Sequence, residues 1–331
     1  MFQKWLLSKK VEYVFDPRHN MCAVLEVNPD NEPVEHMIRW MARSNIQFAL
    51  TESPTIYRGH ILDFWRSAVL KKDGEHRIEA KVAGREIVIT ERVIRRCLQF
   101  DDDNHYHINF NADHLKKIFD ETMGYQGGKK DGQFEKGMFP LMYRFLIHHI
   151  IHGFAPRKGS WTLMSRDLAN ATVGVMFDLP FNFSRMVFDG LVSNWKKKVE
   201  QRFLQLPRFL QIIINVELQN PEPSGDVLRL QDPNTFQRIR DPGPSNKFDT
   251  RVPFEILPWL LNHEFPVMPV PELEVESEDD EMADGSEDET DESDSDSDNG
   301  GDGGDGENAV DMEIDRDAQE QGEQGGEFER K

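Results

Sequence analysis

Two histidines at helical spacing are the first residues in this chain that could do chemistry. His148 and His152 stand four residues apart, so on a helix both imidazoles would project from one face and could bind one metal ion. A zinc protease of the HExxH type has a glutamate general base after the first ligand, and His149 occupies that position here. No other histidine stands at a supporting spacing. We keep His148 and His152 as candidate metal ligands, and favour the alternative that they are partly buried and hydrogen-bonded to neighbours.

Clustered carboxylates are the second candidate, because metal-dependent nucleases hold paired divalent ions with two or three of them. Asp101, Asp102 and Asp103 are consecutive, so their side chains diverge. Asp120 or Asp167 could join them only through a tertiary contact. A solvated loop after a helix is the favoured interpretation of this cluster.

The chain carries no usable motif for nucleophilic or phosphate chemistry: GxSxG and GxxxxGK[ST] are absent, and the Gly-rich stretch from Gly300 to Gly306, which contains a GxGxxG string, lies in the acidic tail, where it would repel phosphates. Its only two cysteines, Cys22 and Cys97, lack metal-ligand spacing, which indicates a reducing compartment, and both are expected to be buried thiols. Met1 to Lys10 is too short and too closely flanked by lysines for a secretion signal, and no run reaches the ~18 apolar residues of a membrane helix. We predict a non-enzymatic protein without a cofactor, nuclear or cytoplasmic rather than secreted.

Helical periodicity dominates the segments that would position these residues. Apolar stripes predict helices over 35–43, 58–70, 137–153, 161–177 and 183–199, after the caps Thr90 and Asn111, and from Pro207. Between His76 and Thr90 the apolar residues alternate at period two around Ala83-Gly84, which predicts a β-hairpin. The predicted fold class is therefore mainly α with a small β-hairpin (α+β), a helical bundle-like body followed by a disordered acidic tail.

Charge separates that body from the tail. Residues 271–331 hold 27 of the 60 Asp and Glu and 3 of the 39 Lys and Arg, which leaves a charge of −24 there and +3 on residues 1–270. Such a segment repels itself and cannot collapse. We predict an irregular segment over 1–34, a mostly helical domain over 35–219, a Pro-rich linker over 220–270, and the disordered tail.

The same charges bear on partners. A body of +3 argues against direct nucleic-acid binding, although Arg92, Arg95 and Arg96 share a short helix and Lys196–Lys198 is a basic run. The tail is predicted to engage basic proteins such as histones or other nuclear proteins; a purely solubilising segment is the open alternative. Serines with an acidic residue three positions on are candidate sites of acidophilic phosphorylation, namely Ser277, Ser286, Ser293 and Ser295.

Short sequence words occur here in the order found in one plant family. They are Ala49-Leu50-Thr51, Pro54-Thr55-Ile56-Tyr57, Phe64-Trp65, Gly84, Ile89-Thr90-Glu91, Ile94-Arg95, Met123-Gly124-Tyr125, Phe134, Lys136-Gly137, Phe145-Leu146-Ile147-His148, Trp161, Phe181-Asn182-Phe183-Ser184, Phe188-Asp189 and Pro207-Arg208-Phe209. Over about residues 46–214 the chain resembles the plant transposon protein domain, found in retrotransposon-derived proteins of daisy-family plants. Gly153-Phe154-Ala155-Pro156 departs from that family's usual Leu-Ser pair. The resemblance implies a mobile-element origin, and no catalytic residues come with it.

These observations lead to one functional prediction and two alternatives. We predict a mobile-element-derived protein-interaction module whose acidic tail engages basic partners. The alternatives are a metal-dependent hydrolase or nuclease that uses His148 and His152, and a capsid-like self-assembling protein.

Overall fold

The computed structural model describes residues 13–29, 31–102, 107–128, 132–156 and 161–231, and of residue 200 only the backbone. The chain divides into two units, Met1–Glu274 and Val275–Lys331, and every described residue belongs to the first. The predicted acidic tail with its serines, and most of the predicted linker, lie outside the described residues.

Helix strongly predominates over strand in the described chain, which confirms the mainly α, α+β class. They are α1 (Glu35–Met41), α2 (Gln47–Thr51), α3 (Arg58–Ser67), α4 (Glu91–Leu98), α5 (Ala112–Thr122), α6 (Leu141–Phe154), α7 (Arg166–Phe177), α8 (Phe183–Lys196) and α9 (Pro207–Glu217). Among the described residues, none of the helices is long and apolar enough to cross a membrane.

Local chemistry sets several helix starts. The predicted caps hold: Thr90 Oγ1 accepts the N–H of Val93, and the Asn111 side chain caps α5. α6 starts later than predicted, at Leu141, because Pro140 occupies the cap position and the preceding turn is a 3-10 helix. α7 likewise begins only after Ser165, whose hydroxyl caps it.

The strands are short, and three of them form one antiparallel sheet. The strands are β1 (Ile56–Tyr57), β2 (Val69–Lys71), β3 (Arg77–Val82), β4 (Arg85–Ile89), β5 (Phe134–Glu135), β6 (Leu163–Met164) and β7 (Val227–Leu228). β3 and β4 are the predicted hairpin, turning through Ala83 and Gly84 at φ of 49° and 76°. β2 was predicted as the end of a helix; it pairs instead with β3, while β1 pairs with β7 and β5 with β6.

The core lies around α6 and α7. Every residue from 168 to 177 on α7 is buried, and α6 is buried on most of its circumference. Small residues allow this packing: a Cβ on Gly174 would stand 2.9 Å from Cβ of Phe181.

Residues at both ends of the described chain also pack into this body. Met21 donates its N–H to the carbonyl of His152, and Ala23 donates to that of Leu50. At the other end, Leu228 in β7 is buried. Described residues within both the predicted irregular segment and the predicted linker therefore contribute to the body.

Candidate functional site

A cleft of about 1020 Å³ lies where the first turns of α4, α7 and α8 meet the turn before β3. Apolar side chains from these elements and their flanking loops line it, namely Ile108, Pro156, Leu168, Phe181, Met186 and Phe188. Because three helix N-termini open on the cleft, their dipoles add partial positive charge there.

One wall of the cleft is held by a polar network between α4 and α8. The Asp102 carboxylate is buried, and it accepts the backbone N–H of Ser184 at 2.6 Å and the guanidinium of Arg95 at 2.5 Å. Arg95 also donates to Glu91 at 2.8 Å, and Asn182 donates to the same Glu91 oxygen at 2.7 Å. These contacts fix the two helix starts against each other, so Asp102 positions the wall.

The other carboxylates of the predicted acidic cluster do not assemble around Asp102. Asp101 is exposed, and Asp103 lies outside the described residues. Asp120 is bound to Lys116 within α5, whereas Asp167 lies at the cleft. Among the described members of this set, only Asp167 lines the cleft.

A second ion pair lies inside the cleft on α8. Arg185 Nε is 2.8 Å from both carboxylate oxygens of Asp189. Burial raises the pKa of Asp189 despite this pair, and the negative charges of Glu91 and Asp167 raise it further. Glu91, Asp167 and Asp189 therefore lie close enough together in the cleft for their negative charges to repel one another.

The rim carries charges of both signs that are not engaged in ion pairs. Arg92 and Arg166 are exposed at the first turns of α4 and α7, and neither makes an ion pair with a described residue. Glu75 and Asp167 supply two similarly disengaged acids on the same rim. Sequence reasoning missed this site, although an arginine beside an acid in the first turn of both α4 and α7 was a readable signal.

The histidine pair predicted from the sequence lies on the buried face of α6. The ring centroids of His148 and His152 are 4.2 Å apart, and the indole of Trp161 stacks on His152 at 4.6 Å. Nδ1 of His152 donates to the carbonyl of Arg18 at 2.9 Å, and Nδ1 of His148 lies 3.4 Å from Nζ of Lys136. One nitrogen of each ring is therefore already turned toward a protein partner.

Burial holds these imidazoles in their neutral form. It lowers the pKa of His149 and of His152 to about 4, and it lowers the pKa of His148 well below its ordinary value. The cavity beside them is about 10 Å³, room for about one water. Within the described ranges, no group of three or more His, Cys, Asp or Glu side chains is placed to hold a metal ion. The structure brings the predicted pair together without a third ligand from the described chain.

No family model, curated protein or solved structure matches the chain.

Proposed function

We propose that this protein is a non-enzymatic interaction module. Its cleft holds a polypeptide segment of another protein, and residues 271–331 attract basic partners. One observation carries the proposal: the cleft combines an apolar floor with a rim on which Arg92, Arg166, Glu75 and Asp167 present both signs of charge.

The composition of the cleft favours a polypeptide over other ligands. The apolar side chains of a peptide can pack on the floor, and its backbone amides can hydrogen-bond to Asn109 and Ser193. Its charged side chains can pair with both signs of charge on the rim. A nucleic acid would place phosphates against Glu75 and Asp167. The volume stands at the upper end of the ~300 to 1,000 Å³ typical of small-molecule pockets, which suits a ligand of several residues.

Binding is favoured over catalysis because the carboxylates of Glu91 and Asp189, on the walls formed by α4 and α8, already accept hydrogen bonds from protein side chains. Glu91 accepts hydrogen bonds from two side chains, and both oxygens of Asp189 face Arg185. A general base needs a lone pair directed at the proton that it takes. The contacts of Glu91 and Asp189 hold the walls of the cleft in place. The charged rim and the apolar floor are then the surfaces that bind the peptide.

The acidic segment supplies the second part of the proposal. Its charge of −24 attracts basic surfaces such as those of histones, and salt weakens such attraction because dissolved ions screen the charges. Partners of this kind would place the protein in the nucleus or cytoplasm. The resemblance to plant transposon proteins stays a prediction about origin.

Peptide selection on the full-length protein tests the role of the cleft. Peptides from a random displayed library are enriched on the wild type, and the affinity of the best one is measured for Arg92→Glu/Arg166→Glu. We expect a loss of at least about tenfold, which corresponds to about 1.4 kcal/mol. Arg66→Glu, an exposed arginine outside the cleft, is the matched control and should bind as the wild type does. Unchanged binding by the double variant would refute the cleft as the site.

Neutralisation of the acidic run tests the tail separately. The acids from Glu287 to Asp298 are changed to Asn and Gln in the full chain, and binding to histone octamers is measured across a salt series. We expect the wild type to bind at low salt and to release as salt rises, and the neutral variant to bind much more weakly. Equal binding by the two proteins would leave the segment as a solubilising appendage.

A further inference from the structure

The sequence that follows the described residues contains a short apolar stretch with the chemical character that the cleft requires. It reads Pro253-Phe254-Glu255-Ile256-Leu257-Pro258-Trp259-Leu260-Leu261, and we call it the apolar segment. Eight of its nine side chains are apolar. Glu255 lies within it and Arg251 two residues before it, so charges of both signs accompany the apolar side chains. The apolar segment thus has the two features of the peptide ligand proposed above.

The cleft offers a surface of matching length. Phe181 and Met186 are partly exposed among the apolar side chains that line it. α8 lines the cleft from Asn182 to Ser193, which is about 16 Å of helix axis at ~1.5 Å per residue. An extended chain covers that length with about five residues. The apolar segment is therefore long enough to fill the cleft along α8.

The chain between the described body and the apolar segment is long enough to permit this contact. The last described residue, Gln231, donates its N–H to the carbonyl of Pro17 at 2.8 Å, so it is fixed on the body. Pro253 stands 22 residues further on. That length spans up to about 75 Å when fully extended. A compact domain of about 220 residues has a diameter of only roughly 45 Å, so the apolar segment can reach the cleft from Gln231.

Other residues beyond Gln231 match the cleft less well. Residues 271–331 carry a charge of −24, which Glu75 and Asp167 on the rim would repel. Residues 232–250 hold only three aliphatic or aromatic side chains other than proline, too few to cover the floor. The apolar segment is the part of this sequence that combines a continuous apolar run with few charges.

We propose that the apolar segment occupies the cleft of its own chain and competes there with peptides of other proteins. The inference rests on the proposed function, because it treats the cleft as a peptide site. Attachment to the same chain gives a ligand an effective concentration in the ~mM range for short linkers, so weak contacts suffice to populate the docked form. The cleft is open for part of the time, and a peptide that binds more strongly displaces the segment. The apolar segment therefore sets the affinity that an outside peptide must exceed.

Photo-crosslinking in the full-length protein tests where the apolar segment lies. Trp259 is replaced by p-benzoylphenylalanine, and mass spectrometry identifies the residues that the probe captures on irradiation. We expect crosslinks within one chain to side chains of α8 that line the cleft, such as Met186, and far fewer from the same probe at Val267. Crosslinks from position 259 that avoid the cleft, or no crosslinks, would overturn the proposal. Crosslinks between two copies that disappear on dilution would assign the cleft to a second copy and overturn it as well.

A variant of the full-length protein tests the competition. Leu257→Ser/Trp259→Ser/Leu260→Ser removes apolar side chains from the segment, and we expect it to bind the library-selected peptide several-fold more tightly than the wild type does. The matched control changes three apolar residues beyond the segment and should bind as the wild type does; it is Val267→Ser/Met268→Ser/Val270→Ser. Equal affinity of the wild type and the segment variant would refute the competition.

The two experiments also separate this inference from the function on which it rests. If the segment variant binds as the wild type does, while Arg92→Glu/Arg166→Glu still weakens peptide binding, the competition is refuted and the peptide site stands. If position 259 crosslinks to the cleft, while Arg92→Glu/Arg166→Glu leaves peptide binding unchanged, the segment occupies the cleft and the binding of outside peptides there is refuted.

Discussion

Acid should destabilise this protein through the buried histidines of α6. In the folded state burial lowers the pKa of His149 and His152 to about 4, whereas an unfolded histidine titrates near ~6.5. The unfolded state therefore binds more protons as the pH falls below that value. Above pH ~6.5 the histidines are neutral in both states and do not reduce the free energy of unfolding. As the pH falls from ~6.5 toward about 4, the free energy of unfolding decreases.

The magnitude follows from the two pKa values. At pH 5 each of the two histidines destabilises the folded state by about 2 kcal/mol, so the pair contributes about 4 kcal/mol. His148, whose pKa is also lowered, adds to the loss. Set against a domain stability of ~5 to 15 kcal/mol, this is a large fraction.

Urea denaturation at pH 7.5 and at pH 5 measures the effect. The double variant His149→Asn/His152→Asn removes both titrations, and an amide nitrogen can replace Nδ1 in the bonds to the carbonyls of Phe145 and Arg18. We expect the fall in unfolding free energy between the two pH values to be about 4 kcal/mol smaller than in the wild type. His36→Asn, at an exposed position on α1, is the control and should leave the fall unchanged. The same fall in the double variant and the wild type would refute the reasoning.

Two further predictions concern packing and the cleft wall. A Cβ on Gly59 would stand 2.5 Å from the carbonyl oxygen of Ser224, so Gly59→Ala should lower the unfolding free energy by about 1–3 kcal/mol, whereas Gly128→Ala, with open space around it, should be close to neutral. Urea denaturation at pH 7.5 checks both, and a neutral Gly59→Ala would contradict the docking of the segment after α9. Asp102→Asn removes the buried charge that binds Arg95 and Ser184, and we expect a loss of roughly 2–3 kcal/mol in the same assay, with little change for the exposed control Asp101→Asn. Equal effects of these two substitutions would contradict the network described for the wall.

Local signals in the sequence predicted the elements well. The caps Thr90 and Asn111, the turn Ala83-Gly84 and the N-terminal Pro207 act through their own backbone neighbours, so a single sequence suffices to recognise them. The end of α3 was less predictable. Its apolar stripe continues into Val69, but β2 begins there because residues 69–71 pair with β3. Helical periodicity carries no information about that contact between strands.

The cleft depends on contacts that sequence patterns do not encode. Glu91 meets Asn182, and Asp102 meets Ser184, across more than 80 residues of chain. The histidine pair was likewise only partly predictable from the sequence. Helical spacing correctly placed His148 on the same face as its neighbour four residues on, but burial and the protein partners of the rings come from packing.

Hydrogen exchange of the full-length protein, with and without its selected peptide, tests the central claim most directly. If the cleft holds the polypeptide, bound peptide should slow amide exchange in the first turns of α4, α7 and α8, around Arg92, Arg166 and Arg185. Binding that leaves these three turns unprotected, with the slowing confined to other parts of the body, would contradict the account.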